Sequence, residues 1–178
     1  MATWKIDPAH TEIKFKARHL VVSTVTGWFK KFDATVEADK PDFSDAKISF
    51  EADAESITTN IEQRDAHLKS ADFFDATNYP KITFVSKSVK KKNDEDYEVI
   101  GDMTIRGTTK EIKLNVVYNG TVKGIDGSEV AGFEVTGRLN RFDFGLHWNA
   151  LTEAGGIIVG DEIKLDINAE LVKIKETQ

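Results

Sequence analysis

SITTNIEQRDAHLKSADFFDATNYPKITF, residues 56–84, is the one stretch in which an alternating sequence gives way to helical spacing. Thr59 with Glu62, or Asn60 with Gln63, has the spacing of a capping box that starts a helix. Ile61, Asp65 and Leu68 then follow at i, i+4 and i+7, with Arg64 and Leu68 as i, i+4 neighbours. Ser70-Ala71-Asp72 starts a further short turn, and Pro80 ends the helical segment by favouring extended chain at Tyr79. Everything on either side reads as strand. A single helical insertion in an all-β chain is a natural lid or plug.

Working outward, the strands announce themselves by period-2 alternation, the mark of a sheet with one wet face. Ile13, Phe15, Ala17 and His19 share a face opposite Glu12, Lys14, Lys16 and Arg18. Phe32, Ala34, Val36 and Ala38 repeat the pattern after Gly27-Trp28-Phe29, and the broken parity from Phe29 to Phe32 predicts a β-bulge near Lys30-Lys31. Beyond the turn at Pro41-Asp42, Ala46, Ile48, Phe50, Ala52 and Ala54 form a third inward set. After the insert come Ile82 and Phe84, then Tyr97 to Ile105 with Met103 inward, then Ile112 to Tyr118 beyond a tight turn at Arg106-Gly107-Thr108. Asp126-Gly127 marks another hairpin before Ala131, Phe133, Val135, Gly137 and Leu139, and the last strand carries Ile163 to Leu171. The expectation is all-β: eight antiparallel strands, mostly hairpin-linked, closed into a barrel that leaves no free edge, with a short helical insertion.

The totals agree. At 178 residues the chain suits one domain over residues 1–178, and 40% hydrophobic with 30% charged residues is a globular balance. A net charge of −6 and the lack of a basic arm argue against nucleic acid. The one basic run, Lys90-Lys91-Lys92, meets Asn93-Asp94-Glu95-Asp96 at once and reads as a solvated hairpin turn. The absence of cysteine removes disulfides and thiolate chemistry. No run approaches about 18 apolar residues, so no transmembrane helix is expected. MATWKIDPAH has no apolar leader core, so the chain as given is expected in the cytoplasm, or in the periplasm if a leader has been removed.

Small inward residues (Ala17, Ala34, Ala52, Gly101, Gly137 and Ala169 among them) are interleaved with Phe15, Phe32, Phe50, Phe84 and Phe133. Such a set either packs solid along a taper or walls a tunnel, since eight strands enclose room for side chains or for one small ligand. A tunnel without convergent charge suits an apolar, chain-like guest, because each buried methylene contributes about 0.8 kcal/mol. A solid core would leave the barrel to act through its surface.

His67, one turn from Arg64 and Asp65, is the tempting acid/base, and an enzyme acting on such an apolar guest through His67 is the alternative function. The plainer reading has Arg64 and Asp65 forming salt bridges that fix the insert, with His67 lining the mouth. No nucleophile elbow or oxyanion hole is marked near Ser56 or Ser70, so no catalytic residue is assigned. His10, His19, His67 and His147 never occur at HxH or HxxxH spacing, so a metal site would have to be assembled by the fold, and none is expected. Gly155-Gly156 and Gly160 lack the following Lys and Ser/Thr of a phosphate loop and read as a hairpin turn.

WKIDPAHTEIKFKARHL from Trp4, the Gly27-Trp28-Phe29 element, residues 56–84 with Arg64-Asp65, His67-Leu68, Phe73-Phe74 and Tyr79-Pro80, and GDMTIRGTTKEIKL, LNRFDFGL and VGDEIKLDINAEL together resemble the YceI-like family of polyisoprenoid-binding proteins. The resemblance implies a lipocalin-like barrel with a helix at one end and a hydrophobic pore holding a polyisoprenoid, such as a quinone tail, or another long-chain lipid. It also implies a homodimer and no required cofactor. The residues expected to hold the guest are Phe15, His19, Phe29, Phe32, Phe50, Ala52, Phe84, Met103 and Phe133 along the wall. His67, Leu68, Phe73, Phe74 and Trp148 are expected at the gated end.

Overall fold

The computed structural model describes residues 2–20, 22–149 and 159–174. Eleven strands and one α-helix form: β1 (Ala2–Ile6), β2 (Glu12–His19), β3 (Ser23–Phe29), β4 (Phe32–Ala38), β5 (Lys47–Asp53), β6 (Ile57–Thr58), α1 (Glu62–Lys69), β7 (Lys81–Lys91), β8 (Asp96–Ile105), β9 (Thr108–Lys123), β10 (Glu129–Asn140) and β11 (Val159–Lys173). Every strand pairing is antiparallel, and β1, β4, β5, β7, β8, β9, β10 and β11 pair in a ring that closes back on β1. This is the eight-stranded barrel that the alternation predicts. Closure leaves no free edge within the ring, while β2, β3 and β6 branch from it.

The surplus of strands over eight arises because three long strands are broken. A 3₁₀ turn at Pro8–His10 separates β1 from β2, Lys30 and Lys31 separate β3 from β4, and a 3₁₀ turn at Ala54–Ser56 separates β5 from β6. The bulge expected near Lys30-Lys31 is thus one of three neighbouring breaks. Two of them are stitched together, since the Lys30 N–H donates to the Ser56 carbonyl at 3.2 Å and the Asp53 N–H to the Lys31 carbonyl at 2.9 Å. The breaks re-aim the ladder. β11 pairs with β2 up to Asn168 and with β1 from Leu171 on, while β6 pairs only with β3 and parts from β7. The insert leaves β6 and returns to β7, so it lies over the seam that this parting opens.

The two barrel ends are closed differently. In the β4–β5 turn Phe43 takes a left-handed φ of 63°, which costs an L-residue about 1–2 kcal/mol. Its ring is buried against Trp4 (5.0 Å between centroids), Phe133 (5.1 Å) and Tyr118 (5.3 Å), an aromatic plug whose burial offsets that cost. At the other end lies the insert, where the capping-box expectation is corrected. Ile61 occupies the cap and provides no side-chain bond, because the Thr59 hydroxyl is taken by Asp65 (2.5 Å) and Arg64 Nε (2.7 Å). The expected salt bridges of Arg64 and Asp65 are likewise replaced by hydrogen bonds to neutral groups. The Thr59 N–H (2.7 Å) and the Thr58 hydroxyl (3.1 Å) also donate to Asp65, and the Thr59 carbonyl accepts from Arg64 at 3.0 Å. Both side chains reach back to the β6–α1 connection, which offers hydroxyls and amides rather than charges.

The tight turn at Arg106-Gly107 is confirmed as a two-residue hairpin, with φ of 50° and 72° and Ile105 paired to Thr108. Glycine is required twice over at 107, since a Cβ there would lie 2.7 Å from the Tyr79 ring. The basic run is also as expected, with Lys92 and Asn93 closing a turn onto Asp96. The turn expected at Gly155-Gly156 lies outside the described residues.

Candidate functional site: an apolar lumen

Between the aromatic plug and the insert the barrel encloses a cavity of about 270 Å³. Packing defects in protein interiors are rarely larger than a water molecule, so this is a built space and the solid-core alternative does not hold. Along β11 the wall runs from Val159 through Leu165 to Leu171, twelve residue steps or about 40 Å of strand. The space is therefore long and narrow. Its accessible wall is hydrocarbon, and the two lining residues with conspicuous polar groups turn those groups away. The Tyr97 hydroxyl donates to the Asp42 carbonyl, and burial pushes its phenol pKa up.

Arg141 is the other. It is 3% exposed, and it donates to four carbonyls: Leu146 (2.7 Å), Trp148 (2.7 Å), Gly160 (2.9 Å) and Val159 (3.1 Å). Burial pushes its guanidinium pKa down from the ordinary value, with Asp161 pulling the other way. The charge is spent tying the segment after β10 to the start of β11. It leaves only the aliphatic stem for the lumen.

Ten of the residues expected to hold a guest line the cavity: Phe15, Phe29, Phe50, Ala52, Leu68, Phe73, Phe74, Phe84, Met103 and Phe133. Four do not. His19 shares the inward face of β2 but is exposed, because the hairpin with β3 carries the strand end past the lumen to His19↔Ser23. Phe32 stands at a strand break and packs against the core cluster of Ala52 and Phe84. His67 and Trp148 form an outer layer. The His67 ring lies 4.6 Å from Trp148 and 5.0 Å from Phe73, and Phe73 is the member of this group that reaches the cavity.

At this end Phe74 packs edge-on to Phe29 at 5.9 Å, and Arg106 donates to the carbonyls of Phe73 (3.2 Å) and Gly145 (3.3 Å). The insert is thus held to β3, to the β8–β9 turn and to the segment after β10. His67 Nε2 is engaged by Asp72 at 2.9 Å. Neither nearby serine addresses the ring, since Ser70 donates to the His67 carbonyl and Ser56 to the Asp53 carbonyl. Phe43 and Arg141 are wall residues that the alternation did not select, whereas Tyr97 lines the wall as its place in the inward set with Val99 and Met103 predicts. The signal for Phe43 was a large aromatic following Pro41-Asp42 in a turn, where nothing but a buried role explains it.

The YceI-like domain family matches residues 4–171. The UPF0312 protein SAS2572 of Staphylococcus aureus is 43% identical over 171 residues, which span 96% of this chain and 97% of that protein. Among solved structures, the Campylobacter jejuni YceI protein superposes with a TM-score of 0.76 at 34% identity, over 89% of this chain and 90% of that one. Burkholderia cenocepacia BcnA gives 0.81 at 22% identity, covering 93% and 98%. A polyisoprenoid binding domain from Saccharophagus degradans gives 0.65 at 13% identity, covering 96% and 98%. The last two are likenesses of fold.

Proposed function

The chain belongs to the YceI-like family, and from that premise we propose that it binds, sequesters or carries a long-chain apolar lipid in the barrel interior, a polyisoprenoid such as a quinone tail. The observation that carries the reading is the wall: about 40 Å of strand lined by hydrocarbon, with the polar ends of Tyr97 and Arg141 turned outward. Such a lumen gives no polar reward to a small hydrophilic ligand, whereas each methylene it buries contributes about 0.8 kcal/mol. The polyisoprenoid binding named for the Saccharophagus degradans domain supports the choice of guest. Phe15, Phe29, Phe50, Phe84 and Phe133 would grip the chain, with Leu68, Phe73 and Phe74 of the insert closing over it.

Native mass spectrometry of the purified protein, with organic extraction, tests this. We expect a bound or titratable lipid at one per chain; a protein that neither retains nor takes up any long-chain lipid overturns it. Ala52, 1% exposed and on the wall, gives a second handle. Ala52→Trp should fold while its lipid stoichiometry falls well below one, and unchanged stoichiometry would show that Ala52 does not limit the lumen. A homodimer belongs to the same proposal and is checked by light scattering. No described helix is long and apolar enough to cross a membrane.

A further inference from the structure

The described histidines lie too far apart in sequence for a metal motif, but the fold brings one of them to two carboxylates. We propose that Asp7, His10 and Glu170 bind one divalent transition-metal cation, zinc by preference, at the seam where the barrel closes. His10 Nδ1 lies 2.8 Å from Asp7 Oδ2 and 3.7 Å from Glu170 Oε2, and the three ligand atoms fall within 4.8 Å of one another. Ligands on a tetrahedral zinc at about 2.0–2.2 Å stand about 3.3–3.5 Å apart, so the observed separations bracket the required one.

The side chains are held in place before any ion arrives. Asp7 Oδ1 accepts from the Ala9 N–H at 3.1 Å, which leaves Oδ2 aimed at His10. The Asp7 N–H donates to the Glu170 carbonyl at 2.8 Å, and the Glu170 N–H to the buried Thr11 hydroxyl at 3.2 Å. Asp7 and Thr11, on either side of the 3₁₀ turn that carries His10, are thus both fixed to Glu170 of β11. None of the three side chains lines the lumen, so the site is separate from the lipid cavity.

Electrostatics favours a cation. A single Nδ1–H satisfies one acceptor, yet two carboxylates converge on it, and with a neutral imidazole the cluster carries two negative charges. Among the described residues, neither Asp7 nor Glu170 has a Lys or Arg within ion-pair distance; His10 is their shared partner. A divalent ion would take the place of the imidazole proton and neutralise both carboxylates, with water completing the coordination. One imidazole with two carboxylates suits zinc, with manganese as the harder competitor.

The location gives the ion a mechanical role. Between Ile6↔Leu171 and Glu12↔Asn168, residues 7–11 stand opposite only 169 and 170. The ladder lapses there, and a metal held by residues 7, 10 and 170 would bridge the lapse.

The test uses the full chain, stripped with chelator and titrated with zinc chloride by calorimetry, with retained metal counted by mass spectrometry. We expect one zinc per chain, an affinity lowered at least tenfold by His10→Ala and by Glu170→Gln, and no change in His147→Ala. A zinc-dependent rise in the thermal midpoint should appear in the parent and be lost in the first two variants. Glu170→Gln, nearly isosteric, carries the test if His10→Ala folds poorly. No stoichiometric binding at 100 µM zinc, or undiminished binding in Glu170→Gln, overturns the site and marks any bound zinc as adventitious.

Discussion

Asp65 secures the root of the insert by accepting three hydrogen bonds within one turn of chain, two from Thr59 and one from Thr58. Partial burial pushes its carboxyl pKa up, but the bonds from Thr59 and Thr58 outweigh this and hold it below the ordinary 3.8. A depressed carboxyl contributes stability that is complete above its unfolded value and is lost as the pH falls through its folded value. Asp65→Ala should therefore lower the unfolding free energy near neutral pH by about 1–3 kcal/mol, read as a lower urea midpoint at unchanged slope. The gap to the parent should narrow once the pH drops below 3.8; a gap independent of pH would show that the carboxylate is not the anchor. Gly27 tests the lumen at the same scale. A Cβ there would lie 2.2 Å from the Phe15 ring, a movable side chain on the cavity wall, so Gly27→Ala should fold but push Phe15 inward and lower lipid capacity. Gly101 has the same relation to Phe84, but it also meets the Val85 carbonyl at 2.4 Å. Gly101→Ala should instead cost about 1–3 kcal/mol, as overpacking against backbone does.

The elements differ in what holds them. The strands of the ring are fixed by ladders on both sides, whereas α1 has eight residues and buries none of them fully. A helix this short is marginal by itself. Amide exchange in α1 should therefore report an opening free energy far below that of β8 and β9, and should slow when a lipid is bound; equal protection in both would remove the insert as the gate. The strands were legible because one face is wet, and so Ile13, Phe50 or Val99 could be placed by parity alone. Of the breaks, only the one at Lys30-Lys31 was, through its lost parity. Pro8 within a run of strand was a signal for the first, but Ala54–Ser56 and the two-residue β6 leave no periodicity to read. The helix start was misplaced at Thr59 or Asn60, one or two residues before the actual cap at Ile61, because a capping box cannot be told from a threonine whose hydroxyl Asp65 and Arg64 claim. Phe43 and Arg141 escaped notice for one reason: a turn and a charge disguise residues whose hydrocarbon faces inward.

For the molecule as a whole, the proposed lipid binding would make the lumen a ruler. A series of fatty chains of increasing length should bind about fourfold more tightly per added methylene, the equivalent of about 0.8 kcal/mol. The gain should stop once the chain spans the wall between the insert and the Phe43 plug. Affinity flat from the shortest member would show that the guest is held at the surface. Phe43→Ala should remove the stop and destabilise the barrel by about 3–5 kcal/mol.

Closure joins the two ends of the chain, since Trp4 pairs with Lys173. A ribosome therefore releases β1 about 170 residues ahead of the strand that completes it. At about 5–20 residues per second, that first edge waits roughly 10–30 s without its partner. The container is consequently closed only when the last of its eight strands has been made. A chain that still lacks β11 has no enclosed interior, so the proposed guest could enter only once that strand has been made.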